Sequence, residues 1–235
     1  MKLPAHNQRI LTGVIILAMV GGAAVMGRLG IGLLIGLASL VAQYEFYDMV
    51  YSNGKEHWLE KCLGLILGAG VLVACGLNVP YAAQAFTIAT AMTAAIILLI
   101  RFNDGDNRPH LVSSMLLIMG FIYVPLVLQM AFRLLPMEIL LILVGVVASD
   151  TAAYYAGVTM GKRKLWPRVS PKKSWAGSIA GLITCTLAVS LLGWLLFDHH
   201  PAIWLLVGMV INISAQLGDF FESALKRIYE IKDSS

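Results

Sequence analysis

An all-α, polytopic integral membrane protein of about eight transmembrane helices, with a cytoplasmic N-terminus, is the fold class the sequence predicts. Three observations carry that expectation. Of the 235 residues, 59% are hydrophobic and only 13% charged, where soluble domains carry roughly 25% charged residues; the mean hydropathy is +0.80. Eight apolar stretches each reach the roughly 17 to 25 residues a spanning helix needs. Of the 17 Lys and Arg residues, all but Arg28 and Arg133 fall on one side when eight spans are threaded from the inside. One helix more or fewer would scramble that alternation. The net charge of +4 is therefore a topology signal, and no nucleic-acid partner is expected.

The first span, 10–27, follows a polar Met1–Arg9 and has no Ala-x-Ala-like cleavage site, so it reads as a membrane helix and not as a removable signal. The second, 29–47, has Tyr44, Tyr47, Tyr51 and Trp58 at its cytoplasmic edge, the place for interfacial anchors. Spans 62–79, 81–100 and 111–132 follow, with very short joins at Arg28 and Pro80. Gly13, Gly21 and Gly22, then Gly64, Gly68 and Gly70, suit close helix packing in lipid. These five helices hold almost no ionisable group at membrane depth, so 1–135 is expected to be a scaffold. Cys62, Cys75 and Cys185 lack paired spacing and read as small buried thiols, with no disulfide or zinc site. His199 and His200 adjoin without a third ligand and are expected in an outer loop.

Chemistry begins in 136–235, the expected catalytic membrane region. Span 137–157 carries Asp150 between Ser149 and Thr151, with Tyr154 one turn on. A carboxylate inside an apolar span is costly and marks a functional site by default. A basic cytoplasmic loop, 158–176, holds Lys162, Arg163, Lys164, Arg168, Lys172 and Lys173. Ser170, Lys172, Lys173 and Ser174 crowd before a helix start near Ala176, where hydroxyls, ammonium groups and free amides together make a phosphate seat. Span 176–197 follows, and then 202–218, whose inner end gathers Ser214, Gln216, Asp219, Glu222, Ser223 and Lys226. If that helix continues, Asp219, Glu222 or Ser223, and Lys226 share one face. Glu222 and Lys226 also make an ordinary i,i+4 ion pair; Asp219, at the hydrocarbon edge, has a hard divalent cation as its natural partner. A continuous helix would set Asp219 and Asp233 about 21 Å apart, so either the chain folds back near Ile231 or Asp233 serves a different part of the site.

Two blocks of residues resemble the phosphatidate cytidylyltransferase (CDP-diacylglycerol synthase) family. The first is Ser149, Asp150, Thr151 and Tyr154, then Gly161 to Leu165, then Ser170 to Trp175 with Gly177; the second is Ser223 to Arg227 with Lys232 and Asp233. They match in order, at compatible spacing and on the expected cytoplasmic side, whereas the chain before residue 136 agrees only in being hydrophobic. Ala176 stands where the family usually has Glu or Gln. The family pattern continues into a His-Gly-Gly and an Asp-Arg-x-Asp element, whose acidic residues help to bind the catalytic metal; neither occurs before Ser235, so the resemblance implies a chain truncated at its C-terminus.

The resemblance implies transfer of a cytidylyl group from CTP to phosphatidic acid, giving CDP-diacylglycerol and pyrophosphate, in a bacterial cytoplasmic (inner) membrane with the active site facing the cytoplasm. Asp219 would ligate Mg²⁺, with Asp150 and Glu222 as further candidate ligands and room for a second metal or a monovalent cation. Lys226 and Arg227 join Asp219 and Asp150 as the implied catalytic set, and Ser170, Lys172, Lys173, Ser174, Ser223, Lys232, Asp233 and Tyr154 as substrate-binding residues. A homodimer through the early helices is implied too. The alternatives are a CTP-dependent transferase or kinase for another lipid such as a polyprenol, an inactive truncated form, and a small transporter using Asp150 and Asp219 as coupling-ion sites.

Overall fold

The computed structural model describes residues 19–23, 25–51, 56–197 and 200–230. Seven helices among them are long and apolar enough to cross a membrane. We name them α1 (Gly27–Val50), α2 (Trp58–Gly76), α3 (Ala82–Arg101), α4 (Arg108–Phe121, prolonged by a π turn Ile122–Leu126 and a 3₁₀ turn Gln129–Arg133), α5 (Pro136–Met160), α6 (Trp175–Leu196) and α7 (Pro201–Ile228). The all-α membrane class holds, and the count is close to the expected eight. Most of the first expected span, 10–27, lies outside the described residues.

The chain forms two compact units, Met1–Pro136 and Met137–Ser235. In the first, Val71, Leu72 and Phe121 form a buried core against which Leu67, Phe86, Leu126 and Phe132 pack. Pro125 explains the π turn of α4, because its ring removes an N–H and crowds the preceding turn, which a wider turn accommodates. The expected tight join near Pro80 is built by Asn78 and Tyr81, both in the left-handed region with φ of 56° and 58°.

This unit departs from the sequence reading in three ways. Tyr47 and Tyr51 are fully or almost fully buried, not interfacial anchors, although Tyr44 and Trp58 are exposed. Each buried phenol donates to a backbone carbonyl of α4, Tyr47 to Leu117 at 2.9 Å and Tyr51 to Ser113 at 2.7 Å, because a buried hydroxyl needs a partner. Cys62 is exposed, while Cys185 is buried. Finally, the supposed scaffold holds a fully buried carboxylate, Glu60, gripped by Arg101 at 2.9 Å and 3.0 Å and accepting from Ser113 at 3.0 Å.

The second unit packs through four-residue periodicity. Gly177, Gly181, Cys185, Val189 and Gly193 are the buried positions of α6; Leu141, Gly145 and Ser149 those of α5; Trp204, Gly208 and Asn212 lead those of α7. Four-residue spacing lays each set along one stripe of its helix. The small residues let backbones approach closely, as lipid-embedded helices require. A Cβ on Gly177 would lie 2.7 Å from the Ala153 carbonyl oxygen, and one on Gly181 would lie 2.9 Å from Ser149 Oγ.

Candidate active site

The expected basic loop is an antiparallel β-hairpin, β1 (Lys164–Trp166) paired with β2 (Ser170–Ser174) through Lys164 opposite Ser174 and Trp166 opposite Ser170. Its turn is closed by the Val169 N–H donating to the Trp166 carbonyl at 3.1 Å, with Pro167 in the second position, where its fixed φ suits a tight turn. The hairpin is sewn to the start of α6: the Trp175 N–H donates to the Arg163 carbonyl at 3.0 Å. Ser174 is the N-cap of α6, buried, its Oγ accepting from the Gly177 N–H at 3.2 Å as serine caps do. That hydroxyl is committed to the helix, so Ser170, Lys172 and Lys173 are the hairpin groups left near solvent.

Helix α7 does continue beyond 218, carrying Asp219, Glu222, Ser223, Lys226 and Arg227 in unbroken helix to Ile228. Glu230 then turns left-handed at φ 54°. Lys232 and Asp233 lie outside the described residues.

Hairpin and helix meet through one ion pair: Lys173 Nζ lies 2.7 Å from Asp219 Oδ2. The same ammonium sits 4.5 Å from the ring centre of Phe220, a cation over an aromatic face, and Trp166 of β1 packs against that ring with centroids 6.1 Å apart. Asp150 of α5 is within electrostatic range of both Asp219 and Lys173. Hairpin and helix thus bring one carboxylate and one ammonium into contact, and Asp150 of a third element feels the charge of both. Of the other expected residues, Glu222 Oε1 pairs with Lys226 Nζ at 2.8 Å, and Tyr154 is exposed, edge-on to Tyr155.

The site rests on a polar ladder, buried at Ser149 and Asn212, of which the sequence reading named only Ser149 and Gln216. Asn212 Nδ2 donates to Ser149 Oγ at 2.5 Å; Gln216 donates to Asn212 Oδ1 and to the Ser178 carbonyl and accepts from the Ser178 hydroxyl. Asn212 is 1% exposed. The ladder joins α5, α6 and α7 next to Asp150 and one turn before Asp219, and so fixes how those helices are rotated. Its signal in the sequence was the four-residue step Gly208, Asn212, Gln216 inside an apolar run. Trp166 and Phe220 carried no comparable signal.

Known proteins resemble this chain over part or most of its length. The phosphatidate cytidylyltransferase of Staphylococcus saprophyticus is 44% identical over 88 residues, 37% of this chain and 34% of that protein. That of Staphylococcus haemolyticus is 47% identical and that of Staphylococcus aureus 43%, over the same shares. The matched stretch spans about a third of the length of these curated relatives. The cytidylyltransferase family model is not so confined: it matches residues 7–235, taking in both units and every element of the site. By that match the chain belongs to the cytidylyltransferase family.

Proposed function

We propose that the protein transfers the cytidylyl group of CTP to phosphatidic acid, releasing pyrophosphate and CDP-diacylglycerol. The observation that carries this reading is the meeting of Lys173 and Asp219, with Asp150 within electrostatic range of both. Family membership and the printed activity of the Staphylococcus relatives support it.

A phosphatidate headgroup bears roughly two negative charges near neutral pH, its second pKa being about 6 as in other phosphate monoesters. It must approach a triphosphate of the same sign. In the reaction a phosphatidate oxygen forms a bond to the α-phosphorus of CTP, and the bond from that phosphorus to its bridging oxygen breaks, pyrophosphate leaving with the electron pair. The nucleophile is already ionised. What the protein supplies is neutralisation and alignment, and a site of carboxylates and cations is built for that.

Lys173 is the hairpin cation that meets Asp219. Its pair with Asp219 is accessible, with side-chain exposures of 30% and 57%, and an exposed ion pair contributes little. On arrival of a phosphate the ammonium can exchange Asp219 for a phosphate oxygen. Lys226, Arg227 and Ser223 on α7, and Ser170 and Lys172 on the hairpin, would hold further phosphate oxygens, with Tyr154 bounding the substrate. Asp219 would hold Mg²⁺ with Asp150 or Glu222 as a second carboxylate, since that ion is bound through one or two carboxylates and completes its shell with water and substrate phosphates; among the described residues no three His, Cys, Asp or Glu side chains are grouped to hold a metal by themselves. When bound, such an ion neutralises charge on the triphosphate.

The cation distribution supports a bacterial cytoplasmic membrane with this end of the second unit facing the cytoplasm. Replacing Asp219 with Asn should abolish incorporation of label from radioactive CTP into extractable lipid while leaving membrane insertion intact. Retained turnover would refute the role of Asp219. Label appearing on a polyprenol and not on phosphatidic acid would move the acceptor to another lipid.

A further inference from the structure

The first unit contains a cavity of about 560 Å³, within the roughly 300–1,000 Å³ of small-molecule sites, that the proposed reaction does not use. It follows α1 from Arg28 past Gly32 and Gly36 to Leu40, walled by the second half of α2 and by the segment around Phe132. Arg28 to Leu40 spans about 18 Å along a helix axis, slightly more than one leaflet's half of a roughly 30 Å hydrocarbon core. Every lining side chain is apolar except Arg28 and Asn78, and both of these lie at the same end.

Among the described residues the floor of the groove is open space. Among them, a Cβ on Gly36 or on Gly76 would meet no atom within 4 Å, and one on Gly32 would touch Phe132 at 3.5 Å. The mouth is cationic. Arg28 forms no ion pair among the described residues, and Arg133 lies within electrostatic range of Cys75, next to the wall residue Gly76. Arg28 opens α1 and Arg133 closes the 3₁₀ turn after α4, whereas Lys61, Arg101 and Arg108 lie at the opposite ends of their helices. Of the two cations that serve no topological purpose, Arg28 thus lines an apolar slot of leaflet depth, and Arg133 stands between its lining residues Phe132 and Leu134.

We infer that this groove binds a membrane phospholipid with an anionic headgroup, one acyl chain lying along Gly32, Gly36 and Gly76 and the phosphate held by Arg28, with Arg133 close by. Charge and shape agree: a slot with cations only at its mouth suits an amphiphile with an anionic head and an apolar tail. A single arginine-phosphate contact is charge-assisted, the stronger class of hydrogen bond.

The inference is independent of the catalytic reading and is tested without turnover. The protein is reconstituted in nanodiscs of phosphatidylcholine and phosphatidylglycerol in equal parts, released, and its retained lipid read by native mass spectrometry. Wild-type protein should retain phosphatidylglycerol in preference to phosphatidylcholine. Arg28→Glu should lower phosphatidylglycerol retention about tenfold, the loss expected for a contact of one to two kcal/mol. Gly36→Leu with Gly76→Leu, at two positions where a Cβ meets nothing among the described residues, should lower retention of both lipids at an unchanged melting temperature. Unchanged retention in both variants would overturn the proposal. So would a dimer that the filled variant dissociates with its lipid unaltered, which would give the groove to a second copy. A disulfide forming between Ile15→Cys and Leu37→Cys in the resting protein would give it to the chain's own N-terminal segment and equally overturn the lipid assignment.

Discussion

Among single residues, Glu60 makes the heaviest demand on its surroundings. It is 0% exposed, and its carboxylate is satisfied by the Arg101 guanidinium, the Ser113 hydroxyl and His57 Nδ1 at 3.2 Å. Breaking such a pair leaves a buried charge without compensation. Arg101→Met should therefore destabilise the first unit by roughly 3–5 kcal/mol, read as a lower melting temperature in detergent, and Glu60→Gln added to it should recover most of the loss. Next to this cluster, burial pushes the Tyr51 phenol far above the ordinary tyrosine range, so it stays protonated and keeps donating to Ser113. None of this was legible in the sequence. Glu60 and Arg101 each stand at the end of an apolar run, where a lone charge reads as a boundary marker, and only the packing of α2 against α3 and α4 makes them partners. Asp150 and Asp219 were legible because each interrupts or closes an apolar run in the region where polar residues gather. Lys173 was visible only as one of several loop cations; the hairpin is what selects it.

Among the elements, the approach of α5 to α6 decides where the site's groups can stand. Gly177 sits one turn into α6, against the Ala153 carbonyl of α5, and the obstruction to a larger residue there is backbone, which cannot rotate away. Gly177→Val should force the two helices apart, lower the melting temperature, and cost turnover by displacing Asp150 from the hairpin. The smaller change Gly76→Ala, in open space among the described residues, should do neither. Helix positions were readable to within a few residues, because the length of an apolar run is set by the bilayer. The exceptions are instructive. Helix α7 runs on to Ile228 where 218 was expected, since its last turns trade uniform apolarity for one polar face with Leu225 still buried. The hairpin escaped notice because β1 and β2 are three and five residues long and too rich in Lys and Pro to show alternation. It is held by its turn and by its bond to the start of α6, not by an apolar face.

At the scale of the whole molecule, the distribution of cations sets an orientation that can be checked directly. A cysteine placed at Lys172 in a background lacking the native cysteines should react with a membrane-impermeant maleimide in inverted vesicles and not in intact cells; the reverse pattern would turn the topology over. The molecule is also inverted in its chemistry. Large apolar side chains such as Leu29, Leu99, Val147 and Leu206 are exposed, while Ser39, Gln43, Glu60, Thr90, Ser113 and Asn212 are buried. In lipid, apolar surface gains little by leaving its surroundings, and helices can insert one by one with their backbones already satisfied. What remains for the last stage of assembly is a choice among many rotations and slides of nearly equal energy. The ladder from Ser149 through Asn212 and Gln216 to Ser178 resolves that degeneracy for the second unit, because its donors and acceptors coincide in one register and miss in the others. Those four residues act less as an adhesive than as a key, and a chain that lost them would still cross the membrane but would no longer hold its charged groups in one arrangement.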